Sequence, residues 1–578
     1  MFIDTRYTPA LHVVIYIALI VTLLPCIGFA QSDLIQIRED FSVDPRWEGV
    51  KNRVVGENVP VVRQDFGWGG MSRTVSTSGG GIGGRIWSSA VPAYYVMPIG
   101  KPLTFKDKIS ASGKLSISAI DHRGTVYIGF FNSERQEWRP LSSMAFRFTE
   151  EDRVAQAVFD FMTADWQACG FETDVMIHPD KSVHTWSFIY DPEVTINTVW
   201  ADPHLKGYLT DNWRDEEKDI LERALKHEPN LTLKKLRQRL ESALDQGLVH
   251  YFHRHGMERW WLRSNPESYK GMINLQIDGK PYKEYVPARF HDAPMNMDSF
   301  GIFNKQLYGQ SMDFHISEIT VQGCKIDLST DPQWVGKGNR GTYHSATLHS
   351  AHDYGFSQTN WAGESPGEIG GLFWRIEPND PTCGYYADNI GSLTLNDPIS
   401  FSGSIAFVAG TTDAAMYFGY FNSKEQVSEL PDLSDGGRIN QSMGIGIMDS
   451  SAYGYQLQAF CYPHKTLASR SDGPVFVPDQ QRHSFIFRYD PEANNGIGRI
   501  AFTFDDKIFN LDLTPEQRKN GAFFDRFGLA TFRRGGNCVT VYFDDLTYTA
   551  RRDNKTEPVK YIQEITKIPY PKNGGRAY

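Results

Sequence analysis

A chain of 578 residues is long enough for two to four domains, each burying a core of its own. Charged residues make up 22% and aromatic residues 13%, with 51 glycines and 30 prolines, a globular composition that favours many short strands and turns over long helices. The net charge of -10 is spread without an acidic block, which argues against a polyanion-binding surface, so nucleic acid is not an expected partner.

In chain order, the first element is an apolar run from Val13 to Ala30 behind Arg6, ending in Gly28-Phe29-Ala30, whose outer positions Gly28 and Ala30 are small as a signal peptidase requires. Residues 1–30 are therefore expected to be a signal peptide, which makes the chain secreted, periplasmic or surface-bound, with no stable membrane span after cleavage. Five cysteines then remain, among them Cys383 and Cys461, too few for a disulfide scaffold but compatible with one or two bridges.

From there the chain repeats itself. Asp44-Pro45-Arg46-Trp47-Glu48-Gly49 recurs as Asp331-Pro332-Gln333-Trp334-Val335-Gly336, and Asn52-Arg53 as Asn339-Arg340. Asp65-Phe66-Gly67 returns as Asp353-Tyr354-Gly355, Ile82-Gly83-Gly84 as Ile369-Gly370-Gly371, and Tyr94-Tyr95 as Tyr385-Tyr386. Tyr127 to Ser133 matches Tyr417 to Ser423 at an offset of 290, whereas Phe300-Gly301 matches Phe527-Gly528 at only 227. Copy one has thus gained an insert, placed at about 197–268. Ile220, Leu221, Ala224 and Leu225, then Leu233, Leu236, Leu240 and Leu244, recur there at helical spacing, with Thr232 as an N-cap.

Outside the insert the period is two: Gly113 to Ile120, Gly498 to Asp505 and Val539 to Asp544 alternate apolar and polar residues between turn signals. The fold class read from this is all-β, two tandem sandwiches, the first (34–322) with an α-helical insertion, the second spanning 323–550, followed by a polar C-terminal tail over 551–578 that reads as weakly ordered.

The opening Glu39-Asp40-Phe41-Ser42, the strand ending at Asn132 and Asn422, Ile500 to Asp506, and the closing Val541 to Thr547 together resemble the concanavalin A-like, or laminin G-like, jelly-roll superfamily. That resemblance implies lectins, polysaccharide hydrolases or lyases, and adhesion modules, and it implies a glycan or polysaccharide as partner. It also implies a structural calcium ion tying first strand to last, for which Asp327 and Asp545 in copy two, or Asp40 and Glu318 in copy one, stand in the matching places.

Polar and aromatic residues kept in both copies are the ligand-binding candidates: Asn339, Arg340, Tyr385 and Asn422, with Arg53, Asp65, Tyr95 and Asn132, and Asn360 beside them. The structural alternative makes the tryptophans core and the amides turn formers. Each tyrosine pair must send one ring inward and one outward. The copies also differ: Glu364 and Glu368 in copy two replace the uncharged Ser78 to Gly84 of copy one. For a hydrolase the best carboxylate pair is Glu368 with Asp353; for a lyase, His352 or Tyr386 would take the proton. Whether the chain is an enzyme stays open at this level, because the Glu-x-Asp-x-x-Glu motif of laminarinase-like members is absent; binding, catalysis in copy two, and an adhesion or scaffold role are the three readings. His250, His253 and His255 precede Gly256 without a carboxylate at ligand spacing, so no metal is read there.

Overall fold

The computed structural model describes residues 34–569 with internal gaps, the longest at 70–79, 197–207, 211–228, 239–248, 426–438 and 552–565. Residues 1–30, expected to be a signal peptide, and the insert positions Ile220, Leu221, Ala224, Leu225, Leu236, Leu240 and Leu244, lie outside the described residues.

The architecture is two antiparallel β-sandwiches, each with one large core between two sheets. In the first, a seven-stranded sheet runs in the order 168–177, 154–162, 143–151, 125–131, 297–304, 94–103, 335–337. It faces a nine-stranded sheet that runs through 184–196, 109–120, 311–321, 81–87 and 61–69 to 340–344 at one edge. Alternation sends Phe130, Phe146, Phe188 and Phe314 into the space between them, where they are fully buried. In the second sandwich a ten-stranded sheet centred on 399–410, 538–551, 368–374 and 352–357 faces a seven-stranded sheet centred on 385–394, 523–531 and 415–421. Phe401, Phe418, Phe527 and Phe543 fill that core, with Phe418 and Phe543 stacked at 4.2 Å.

Strand pairing does not follow the order of the two sequence copies. The N-terminal strands Leu34–Glu39, Glu48–Val50 and Arg53–Glu57 pair with Cys538–Arg551, Tyr385–Thr394 and His352–Ser357, so they complete the second sandwich. Their sequence counterparts Cys324–Lys325, Val335–Lys337 and Arg340–His344 pair with Ser311–Val321, Tyr94–Leu103 and Val61–Gly69, completing the first. Trp47 accordingly lies in the second core, 5.8 Å from the Tyr386 ring, and Trp334 in the first, 5.8 Å from Tyr95. The cause is local: the last strand of copy one reverses through Gln322 and Gly323, both at positive φ, into a hairpin with the segment that follows. The partner place in the second sandwich is left to the only equivalent segment, at the N-terminus. A further strand, Thr566–Pro569, pairs in parallel with Arg53–Glu57, so part of the tail expected to be weakly ordered adds to the sheet.

The insert is not purely helical. Leu233 to Lys235 are helical and the Lys235 N–H donates to Thr232 Oγ1 at 3.3 Å, the expected cap. But Tyr208–Thr210, Val249–Arg254 and Met257–Leu262 form a three-stranded sheet, placing His250 and His253 on a strand beside Ala168–Ile177. Aromatic residues such as Trp260 and Trp261 there favour strand pairing over helix. Among the described residues no helix is long and apolar enough to cross a membrane. Among the described residues Cys324, Cys461 and Cys538 are free thiols, and burial pushes those of Cys461 and Cys538 up to about 12.

Candidate functional site: a pinned loop on the second sandwich

Strands His352–Ser357 and Glu368–Trp374 form a hairpin whose register pairs Ser357 with Glu368. Ile369 and Phe373 point into the core, so Glu368 points to the outer face of the ten-stranded sheet. It is nevertheless fully buried, because its own hairpin loop folds back over it. Its two carboxylate oxygens accept the N–H groups of Trp361 at 3.0 Å and Ala362 at 2.7 Å. Two charge-assisted bonds from one carboxylate fix the loop's backbone.

Further contacts hold the same loop. The Gly367 N–H donates to the Thr359 carbonyl at 3.0 Å, and the Ser357 and Thr359 hydroxyls meet at 2.8 Å. Gly367 sits at φ +121° with a side-chain position that the Phe41 carbonyl already occupies, so only glycine fits, and the loop's foot rests on the N-terminal segment. A Cβ on Gly363 would collide with Asp544 Oδ2. Arg482 ties the loop to the sheet, 3.3 Å from Glu364 and 2.5 Å from Asp545.

The register that pairs Ile369 with Phe543 sets Glu368 beside Asp544 on the neighbouring strand. Asp544 is 3% exposed and accepts the Asp545 N–H at 2.7 Å. Burial, reinforced by the charges of Asp545 and Glu368, pushes its carboxyl up to about 7. Burial also raises the phenol of Tyr542, with Glu368 and Asp353 adding to the shift. Above this floor the loop presents Trp361, 38% exposed and the one aromatic side chain among the exposed large hydrophobic residues described; Asn360 and Glu364 flank it in the open.

The four residues considered for catalysis do not converge. Glu368 is the loop's anchor. Asp353 pairs with Arg53 at 2.9 Å across strands, next to Leu372 rather than Glu368. His352 Nδ1 accepts the Trp374 N–H at 3.2 Å, with its ring edge-on to Tyr354. Tyr386 lies inside the core, its hydroxyl donating to Asp44 at 3.3 Å.

The repeated polar residues mostly join exchanged segments to sandwiches. Asn339 Nδ2 donates to the Phe66 carbonyl at 2.6 Å, as Asn52 does to that of Tyr354 at 2.5 Å. Tyr95 donates to Asp331 at 3.1 Å. Arg340 stands opposite Asp65 in register and donates to the Trp68 carbonyl at 3.5 Å. Asn132 and Asn422 close turns by accepting the N–H of Glu134 and Lys424, each at 3.0 Å. Tyr385 faces outward, as Tyr94 does, but is only 8% exposed and packs on Phe421 at 5.4 Å.

The acids considered for calcium are regrouped by the exchange. Asp40 now approaches Asp545, since Glu39 pairs with Leu546, and Asp327 approaches Glu318, since the Ile326 N–H donates to the Ile319 carbonyl at 2.9 Å. Asp40 and Asp327 each accept the N–H of a serine two residues on, at 3.0 and 2.9 Å, while Glu318 pairs with Lys114 at 2.7 Å and Asp545 with Arg482. Among the described residues no group of three or more His, Cys, Asp and Glu side chains is arranged to hold a metal ion. Trp361, Arg482, Tyr542 and Asp544 are the site residues that sequence reasoning passed over; a tryptophan inside a Gly, Ser and Pro-rich turn was the signal available.

No protein-family model matches the chain, and no curated protein is similar to it. Among solved structures it is similar to domains LG4-5 of the mouse laminin alpha1 chain (8% identity, 85% of this chain and 87% of that one, TM-score 0.21). It is also similar to the carbohydrate recognition domain of Emp47p (13%, 34% and 87%, TM-score 0.21) and to the binding domain of botulinum neurotoxin DC in complex with SialylT (9%, 83% and 90%, TM-score 0.20). At such TM-scores these likenesses carry no argument about fold or function.

Proposed function

We propose that the chain is an exported glycan-binding protein that takes carbohydrate on the Trp361 loop of the second sandwich. The observation that carries this reading is the exposed indole held on a loop whose backbone is fixed from beneath by Glu368. An exposed apolar ring costs solvation, and a structure that pins one in place presents a flat face for a pyranose ring, with Asn360 and Glu364 in reach of its hydroxyls. Preorganisation favours binding because less loop entropy is lost when the ligand arrives. Both oxygens of Glu368 are committed to backbone N–H groups and Asp544 is covered by Gly363, so the geometry favours binding over proton transfer.

The test is a glycan array with the mature chain followed by calorimetry on the best hit. Trp361→Ala is expected to weaken binding at least tenfold while the chain stays folded by circular dichroism, since the ring sits outside both cores. Undiminished binding by that variant would remove the loop from the account, and an array without hits would remove glycan binding.

A further inference from the structure

We infer that the glycan taken by the Trp361 loop carries amino groups and that acidic polysaccharides are excluded, an inference that rests on the glycan-binding reading of that loop. The charges around the platform are lopsided. Glu364 on the loop is 91% exposed and Asp545 beneath it 52%, and both share a single guanidinium, Arg482. Behind them lie buried Glu368 and Asp544, and Asp353 at the neighbouring strand has only Arg53. Among the described residues of the site five carboxyl groups therefore face two arginines. Even with Asp544 holding its proton, the surroundings of the indole stay net negative.

The field of such a patch acts over about 8 Å at physiological salt, the span of one or two sugar rings. A uronate or sulfate arriving at Trp361 meets net like charge, and the nearby guanidinium of Arg482 is already engaged by Glu364 and Asp545. An ammonium group meets two attractions at once. Glu364 accepts its N–H donors, and the indole face attracts a cation by roughly 0.5 to 1 kcal/mol at an exposed position. In the first copy the sequence 70–80, between Val61–Gly69 and Gly81–Trp87, contains Arg73 and no acidic residue or tryptophan, and Gly81 and Ser317 stand where Glu368 and Asp544 stand in the second. The negative platform therefore belongs to one copy alone.

The experiment compares hexamers of glucosamine, N-acetylglucosamine and glucuronate on the full mature chain at pH 6 by calorimetry, in 50 mM and 500 mM salt. The glucosamine hexamer is expected to bind at least threefold more tightly than its acetylated counterpart at low salt, with the gap closing at high salt and glucuronate giving no heat. Glu364→Gln, an exposed position that leaves the fold intact, is expected to remove most of that preference. Equal affinity for all three hexamers, each lost in Trp361→Ala, would overturn the charge selection and leave the binding site standing. Tightest binding of glucuronate would overturn it outright. Silence from every hexamer, with no other glycan bound, would instead overturn the glycan-binding reading beneath it.

Discussion

The two sandwiches share a framework and differ in what it carries. In both, a tryptophan from an incoming segment lies tilted against a core tyrosine at 5.8 Å, that tyrosine donates to an aspartate of the same segment, and an asparagine side chain caps a strand carbonyl. On the outer sheet the correspondence fails. Glu368, Asp544 and Asp545 of the second sandwich stand at the positions of Gly81, Ser317 and Glu318 in the first, so among the described residues the buried carboxylate that pins a loop is found in the second. What duplication kept is what closes each sandwich; what diverged is the outer face of one sheet and the loop above it.

The largest expected effects break the framework. Trp47→Ala and Trp334→Ala should each cost about 3 to 5 kcal/mol, as for other buried aromatic truncations. The damage should cross the sequence copies: hydrogen exchange should accelerate in Tyr385–Thr394 and Phe523–Thr531 for Trp47→Ala, and in Tyr94–Leu103 and Met297–Asn304 for Trp334→Ala.

Asp544 sharpens the contrast at the site. Its carboxyl titrates at about 7 in the fold against an ordinary 3.8, so the folded chain holds a proton that the unfolded chain releases. Its contribution to stability is whole below pH 3.8 and is lost as pH rises through 7. Asp544→Asn should therefore flatten the decline between those limits and gain on the order of 2 to 4 kcal/mol at pH 8, read from urea midpoints across pH. Smaller still, Glu368→Gln should cost about 1.5 to 3 kcal/mol by weakening the bonds to Trp361 and Ala362, and should weaken glycan binding through the loop it loosens.

Much of this was legible in the residues. Period-two alternation and the repeat gave the all-β class and both cores, and the tyrosine pairs divide as alternation requires, with Tyr95 and Tyr386 inward and Tyr94 and Tyr385 outward. The contrast between Glu368 and its uncharged counterpart singled out the hairpin that carries the pinned loop. The exchange was hidden because Trp47 and Trp334 suit either slot equally; a repeat aligns equivalent strands without saying which copy each one joins. Asp544 was hidden because a residue at φ +51°, Asp545, interrupts the alternation, so the strand pattern gives no hint that a carboxyl is buried beside Glu368. The strands of the insert were hidden by leucines at helical spacing nearby.

The most direct measurement of the exchange is a disulfide trap. Arg38 stands opposite Thr547 in the second sandwich, a cross-strand separation that suits a disulfide, while Thr320, the counterpart of Thr547 in the first sandwich, pairs with Lys325 instead. Mild oxidation of Arg38→Cys/Thr547→Cys should give a 38–547 cross-link by peptide mass spectrometry, and Arg38→Cys/Thr320→Cys should give none. A 38–320 cross-link in place of 38–547 would contradict the account.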